Sequence, residues 1–385
     1  MGDAVVELGL HTAIIGVLLV HFNVLNLTIP ILTVSLVIAY LVLFTGFCFV
    51  ARSLTTSFVA VPYIAVKLQL KLVSLCFAYA ARGFKPIFSE WTLAYELTIL
   101  MMRYMSVVYG ETIVNENTHL MREPFAMHGR MILKSSCRQH NTVPEKLVAN
   151  GMEHMWMRDP EMKQHRVVVI HFHGGGFCIA DPLQDVELAN LEHTKLKQIL
   201  KEKYECDVSV DVLLANYRKA PEFLYPTALN DCFDMYKCLS ANCMRLRKEN
   251  PELQPAAALC YSPVVDFSET DNDEKTPYCI LAANFADNCL ATYLRSVTDP
   301  KERHLWGDLE RFYEQGLRFK AKAEAEGVRN MEFDILKNMV HDPVMFPTAV
   351  SPAAEKAITH ACEFAAKHLV TVLRAGAGAE QEPEM

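Results

Sequence analysis

Residues 173–177 of this 385-residue chain read His173-Gly174-Gly175-Gly176-Phe177. Glycine has no side chain, so three in succession let backbone N–H groups come within hydrogen-bond distance of a charged oxygen; the plainer alternative is a tight turn after a strand. His171 and His173 face the same side of that strand and could in principle hold a metal, yet no third ligand cluster accompanies them. The twelve cysteines, spread from Cys48 to Cys362 without a C-x-x-C pair, argue against zinc and read as reduced core residues. Other chemistry-bearing residues follow in order. Tyr217-Arg218-Lys219-Ala220-Pro221-Glu222 precedes Tyr225-Pro226 and Asp231, and Ser262-Pro263-Val264-Val265-Asp266 comes later. Gly307-Asp308-Leu309-Glu310 offers two carboxylates, and Asn338-Met339-Val340-His341-Asp342-Pro343 offers an imidazole.

The elements that must carry these residues alternate. The β-branched run in Arg166 to Phe172 predicts a buried strand ending at the glycines, followed by a helix from about Val186 to Glu202 and a second strand from Val208 to Ala215. Pro226 opens a helix in which Leu229, Cys232, Phe233, Tyr236 and Leu239 share a face. An apolar stretch from Ala256 to Tyr261, a helix after Glu310 closed by Gly327, a last strand from Met331 to Leu336 and a final helix from Pro352 to Leu373 complete the pattern. Trp91 to Val108 has helical spacing, and the sequence from there to about Gln164 reads as polar and irregular. Strands alternating with helices imply an α/β fold around a mostly parallel sheet flanked by helices.

The three blocks, in this order and spacing, resemble the hormone-sensitive-lipase-like branch of the α/β-hydrolases over roughly residues 165 to 370. The resemblance implies a carboxylic ester hydrolase with a Ser, Asp/Glu, His triad in that chain order and an oxyanion hole made partly by the glycine turn. Carried over residue by residue, it assigns Gly174, Gly175 and Gly176 to the oxyanion hole and His341 to the general base. Glu310 best matches the acid that orients His341, with Asp308 as a helix N-cap or the two roles exchanged. The substrates implied are small apolar esters such as acylglycerols, sterol esters or acetylated lipophiles. No cofactor is implied.

The nucleophile departs from that pattern. A G-x-S-x-G elbow is expected and none exists; no glycine at all occurs in the 130 residues from Phe177 to Trp306. The helix ending near Leu239 runs straight into Ser240-Ala241-Asn242-Cys243, where a strand and the elbow should intervene. Three readings stay open: a degenerate elbow with Ser240 as nucleophile, a non-catalytic binding or scaffold homologue, and a chain from which an internal elbow segment has been dropped. In the first, Asn242 would supply the left-handed backbone.

Between Glu7 and Arg52 lie 44 residues without Asp, Glu, Lys or Arg, broken near the middle by Pro30. About 20 apolar residues span a bilayer, so 1–52 reads as a transmembrane hairpin, Leu8 to Leu27 out and Ile31 to Phe49 back. Residues 53–109 read as amphipathic membrane-proximal and cap helices, with Lys67 and Lys71 four apart fitting a helix in the headgroup layer better than a third span. Residues 110–374 form the hydrolase domain and 375–385 a disordered tail. Arg52, Lys67, Lys71, Arg82 and Lys85 precede any acidic residue after the hairpin, which places that flank in the cytoplasm, at the endoplasmic reticulum or another internal membrane. The chain carries 37 basic and 45 acidic residues for a net charge of −8, and beyond residue 89 the count is 32 against 43. That balance excludes a chain-wide nucleic-acid binder and leaves membrane lipids as the expected partner.

Overall fold

The computed structural model describes residues 30–161, 163, 165–236, 256–261, 278–293, 295, 313–328 and 331–379. They divide into two compact units, Met1–Pro86 and Ile87–Met385. In the first, α1 (Pro30–Ser53) packs with α2 (Ala60–Ala81). Leu36, Ile38, Leu41, Val42 and Phe49 of α1 are exposed, as expected of a helix apolar all round. The outward half of the expected hairpin, Leu8 to Leu27, lies outside the described residues.

The second unit opens with α3 (Leu93–Glu116), capped by the Thr92 side chain accepting from Tyr95 N–H. Along with Ser35–Ser53 and Ala60–Ala81, its stretch Leu93–Val114 is long and apolar enough to cross a membrane. Two of its polar side chains are nonetheless bonded within its own unit. Arg103, buried, donates to the carbonyls of Cys279 and Leu281, and Ser106 accepts from Ala282 N–H. A Cβ at Gly110 would come 2.8 Å from Phe285 Cβ, so only glycine lets α3 lie this close to the helix carrying Phe285.

The stretch read as irregular is ordered. It contains α4 (Thr118–His140), closed by Asn141 in the left-handed conformation, and the strands β1 (Val143–Ala149) and β2 (Met152–Arg158). Asn150 and Gly151, at φ +51° and +73°, form the two-residue turn between them, and Ala149 pairs with Met152. β3 (Arg166–Phe172), α5 (Val186–Tyr204) and β4 (Ser209–Ala215) follow as a βαβ unit close to the predicted bounds. The strand order is β1-β2-β4-β3: β4 pairs parallel with β3 and antiparallel with β2. Among the described residues the sheet is therefore mixed rather than mostly parallel, because its first two strands are a hairpin.

The sheet has helices on both faces. On one, α5 packs Leu188, Leu191, Leu196 and Leu200 against Val167 and Val210 and against Ile358, Cys362 and Val370 of the C-terminal helix. On the other, Trp156, Leu213 and Ala215 meet Met235 of a helix over 227–236. Phe233 of that helix is exposed, contrary to the predicted apolar face, because the inward stripe is Ala228, Asp231 and Met235, and Asp231 is bound by Arg218. Beyond these come α6 (Ala283–Tyr293), α7 (Tyr313–Ala325), followed by Gly327 at φ +77°, and α8 (Pro352–Ala379). The last reaches into the stretch read as tail, whose alanines favour helix. Met331 to Leu336 alternates like a strand but is not one, since no described strand lies alongside to pair with it.

At the base of the sheet Asp211, fully buried on β4, binds Arg158 at 3.0 Å and Arg166 at 3.1 Å and accepts from Asp159 N–H. Removing it strands the Asp159 backbone donor and takes a buried carboxylate away from Arg158 and Arg166. Asp211→Ala is therefore expected to cost about 2–4 kcal/mol, read as a lowered urea midpoint in tryptophan fluorescence.

Candidate active site

The glycine turn starts one residue beyond β3. Gly175 has φ +119°, and a Cβ there would come 2.5 Å from the carbonyl oxygen of Ile179 and 2.7 Å from Ala180 Cβ. Any side chain would force this turn open. A Cβ at Gly176 would meet Cys289 Cβ at 2.9 Å, so the same constraint lets α6 approach. Cys178 and Ile179 N–H both donate to the carbonyl of Gly175, closing the turn on itself.

The block beginning at Tyr217 holds this turn from the neighbouring strand. The Tyr217 hydroxyl donates to the carbonyl of His173 at 2.7 Å and its ring stacks on the imidazole with centroids 4.4 Å apart. Ala220 N–H donates to the carbonyl of Phe177. Arg218 grips the buried Asp231 with two nitrogens, at 2.9 and 2.7 Å. From α4, Arg122 reaches both blocks: Nε donates to Cys178 O, Nη2 to Ala220 O, and the guanidinium forms a two-pronged pair with Glu222 at 3.0 and 2.8 Å. Sequence reasoning missed Arg122, for its contacts lie 56 to 100 residues away and nothing local marks it.

Lys219 was also missed as a charge. It is buried beside the turn, and Nζ donates to Asn216 Oδ1 at 2.7 Å and to Tyr217 O at 3.2 Å. Burial brings its pKa down to about 8. His173 is likewise pushed well below the usual imidazole range by burial and then by the charge of Lys219, so it stays neutral and donates Nδ1–H to the carbonyl of Gly174 at 2.6 Å.

His341 lies in the coil after α7, followed by Asp342 in the left-handed conformation at φ +47°. Asp342 Oδ2 is 4.0 Å from where a Cβ of Gly174 would stand, so the 341–342 turn sits against the start of the glycine turn. The structure thus brings Gly174, Gly175 and Gly176 together with the turn that carries His341. Ser240 and Glu310 lie outside the described residues, as does Asp308.

Beneath the turn, His171 Nε2 donates to Asp185 Oδ2 at 3.0 Å while Nδ1 lies 3.9 Å from Glu192 Oε2, and the Tyr261 hydroxyl donates to Glu192 Oε1 at 2.9 Å. Burial opposes charge on His171, but the hydrogen bond to Asp185 and the fields of Asp185, Glu192 and Asp342 outweigh it and push its pKa up to about 9. The histidine ring is spent on these carboxylates. A group whose folded pKa is raised contributes stability that is whole below its unfolded value, near 6.5, and lost as pH rises through about 9. Thermal stability is accordingly expected to fall between those values, and His171→Asn to flatten that part of the profile, as measured by differential scanning fluorimetry across pH.

Residues 169–243 match the model of a family described as having an alpha/beta hydrolase fold. No curated protein sequence matches the chain. Among solved structures, an esterase/lipase from an uncultured bacterium is similar at 17% identity and a TM-score of 0.51, covering 72% of this chain and 99% of that one. An esterase from the bacterial hormone-sensitive lipase family is similar at 19% identity and the same TM-score, covering 72% and 98%.

Proposed function

We propose that this chain, which has the α/β-hydrolase fold, is a membrane-anchored carboxylic ester hydrolase by descent whose own catalysis is impaired by the missing nucleophile elbow. The observation carrying this reading is the glycine turn at the end of β3, held in place by Tyr217 and Arg122, with the His341–Asp342 turn against it. In an intact site of this kind a serine Oγ attacks the ester carbonyl carbon while His341 takes the hydroxyl proton and Glu310 orients the imidazole. The oxyanion of the tetrahedral intermediate is held by N–H groups of Gly175 and Gly176, one such donor being worth about 2.7–4 kcal/mol. His341 then returns the proton to the departing alcohol, and water releases the acyl group by the same path reversed. In this chain Ser240 is the one candidate for the attacking hydroxyl.

The substrates are small apolar esters, acylglycerols, sterol esters or acetylated lipophiles, taken from the bilayer in which residues 1–52 are anchored. Residues 53–109 then supply amphipathic membrane-proximal and cap helices and lead into the hydrolase domain, 110–374, on the cytoplasmic face of the endoplasmic reticulum or another internal membrane. Helices of sufficient length and apolarity support the anchor. A non-catalytic ligand-binding homologue is the second reading, favoured by the absence of any glycine from 177 to 306.

A fluorophosphonate probe separates these. The chain as it stands is expected to label at least about 100-fold more slowly than one in which a strand and G-x-S-x-G are inserted between Leu239 and Met244, and His341→Ala in the inserted chain is expected to abolish labelling. Brisk labelling of the unmodified chain, lost in Ser240→Ala, would instead establish Ser240 as a working nucleophile. An inserted chain that folds but stays silent would leave the binding homologue.

A further inference from the structure

Cys178 leaves the glycine turn with its sulfur against α6. Its Sγ donates to the carbonyl of Cys289 at 3.5 Å and in turn accepts the S–H of Cys289. Cys289 also touches the turn itself: a Cβ at Gly176 would stand 2.9 Å from its Cβ and 3.0 Å from its Sγ. Both residues are buried, and both are thiols. Three other cysteines direct their S–H elsewhere, Cys137 to the Met157 sulfur, Cys206 and Cys362 to the carbonyls of Tyr204 and Glu192.

The packing around the two sulfurs keeps them together. Phe177, next to Cys178, stacks on Tyr293 of α6 with ring centroids 4.3 Å apart, and Tyr225 N–H donates to the carbonyl of Tyr293 at 3.0 Å. Gly110 lets α3 close on α6 at Phe285. Bridging two side chains whose sulfurs already meet asks little of the backbone. The hydrogen bond to Cys178, and after it burial, holds the Cys289 thiol well above its ordinary range. Cys289 therefore keeps its proton, and the Cys178 sulfur is the one that reacts first.

We propose that Cys178 and Cys289 form a reversible redox pair, oxidised by a peroxide, whose disulfide fastens the glycine turn to α6. The Cys178 thiolate attacks one oxygen of hydrogen peroxide, the O–O bond breaks, and the departing hydroxide takes up the proton that Cys178 released, leaving as water. Cys178 is then a sulfenic acid. The Cys289 sulfur attacks the sulfenic sulfur, its proton goes to the departing hydroxyl, and S–S replaces S–O. Two thiols and one peroxide become one disulfide and two waters. Thiols of a reducing compartment reverse the step by exchange. The bridge joins positions 111 apart, so it also restrains the unfolded chain. No group of the candidate triad takes part, and the pair does not depend on whether the chain cleaves esters.

The test uses the full chain, reduced and then exposed to a small excess of hydrogen peroxide. Free thiols are blocked with light N-ethylmaleimide, the chain is reduced, and newly freed thiols take the heavy reagent. Mass spectrometry is expected to show heavy label at Cys178 and Cys289 in equal measure, and a non-reducing digest to yield one peptide pair joining them, lost on treatment with dithiothreitol. The oxidised chain is expected to melt several degrees above the reduced one. In Cys289→Ser that shift should vanish and Cys178 should stop at the sulfenic acid, trapped by dimedone. Three results would each overturn the pair: oxidation of Cys178 with Cys289 left reduced in the parent chain, a bridge from either residue to another cysteine, or neither reacting while the exposed Cys76 and Cys260 do. The labelling is read on the unaltered chain, so it stands even where a variant fails to fold.

Discussion

The parallel pairing of β3 with β4, with Phe172 opposite Ala215, sets the position of everything at the candidate site. Because the strands run in the same direction and end together, the glycine turn leaves one and the Tyr217 block leaves the other at the same height. Only then can the Tyr217 hydroxyl reach the carbonyl of His173 and Ala220 N–H reach Phe177. A shift of one residue would turn every side chain of β3 to the opposite face. Val167 would leave the core under α5, and His171 would turn away from Asp185 and Glu192. The core and the polar network therefore enforce the same register.

The charges near the site follow a consistent division. His171 is kept protonated by carboxylates, His173 neutral by burial and Lys219, and Lys219 itself is held by two neutral oxygens. Two histidines two residues apart, one on β3 and the other just past its end, thus differ in protonation because their neighbours differ. Tyr261, which donates to Glu192, ties the segment before Ser262 into this network.

What the sequence made legible was local. The run Val167-Val168-Val169-Ile170, the helix after it and the second strand follow from composition and period, and the two motif blocks made their adjacency readable. The first hairpin was readable too, since Asn150-Gly151 is a strong turn signal, but Glu145, Lys146, Glu153 and His154 dilute the apolar alternation on either side. α4 was hidden by Pro124 and by polar residues that serve distant partners, Arg122 above all. Met331 to Leu336 misled for the opposite reason: alternation describes one strand, whereas a strand exists only with a neighbour. Gly174, Gly175, Gly176 and His341 are placed in the structure, while Ser240 and Glu310 fall outside the described residues.

β3 is the last strand of the sheet among the described residues, and it leaves Val168 and Phe172 exposed at 43 and 38%. Among the described residues no strand pairs with its outer side, and between Arg166 and Phe172 the only polar side chain is His171, which binds Asp185, so this β-branched run is a ready template for a further strand.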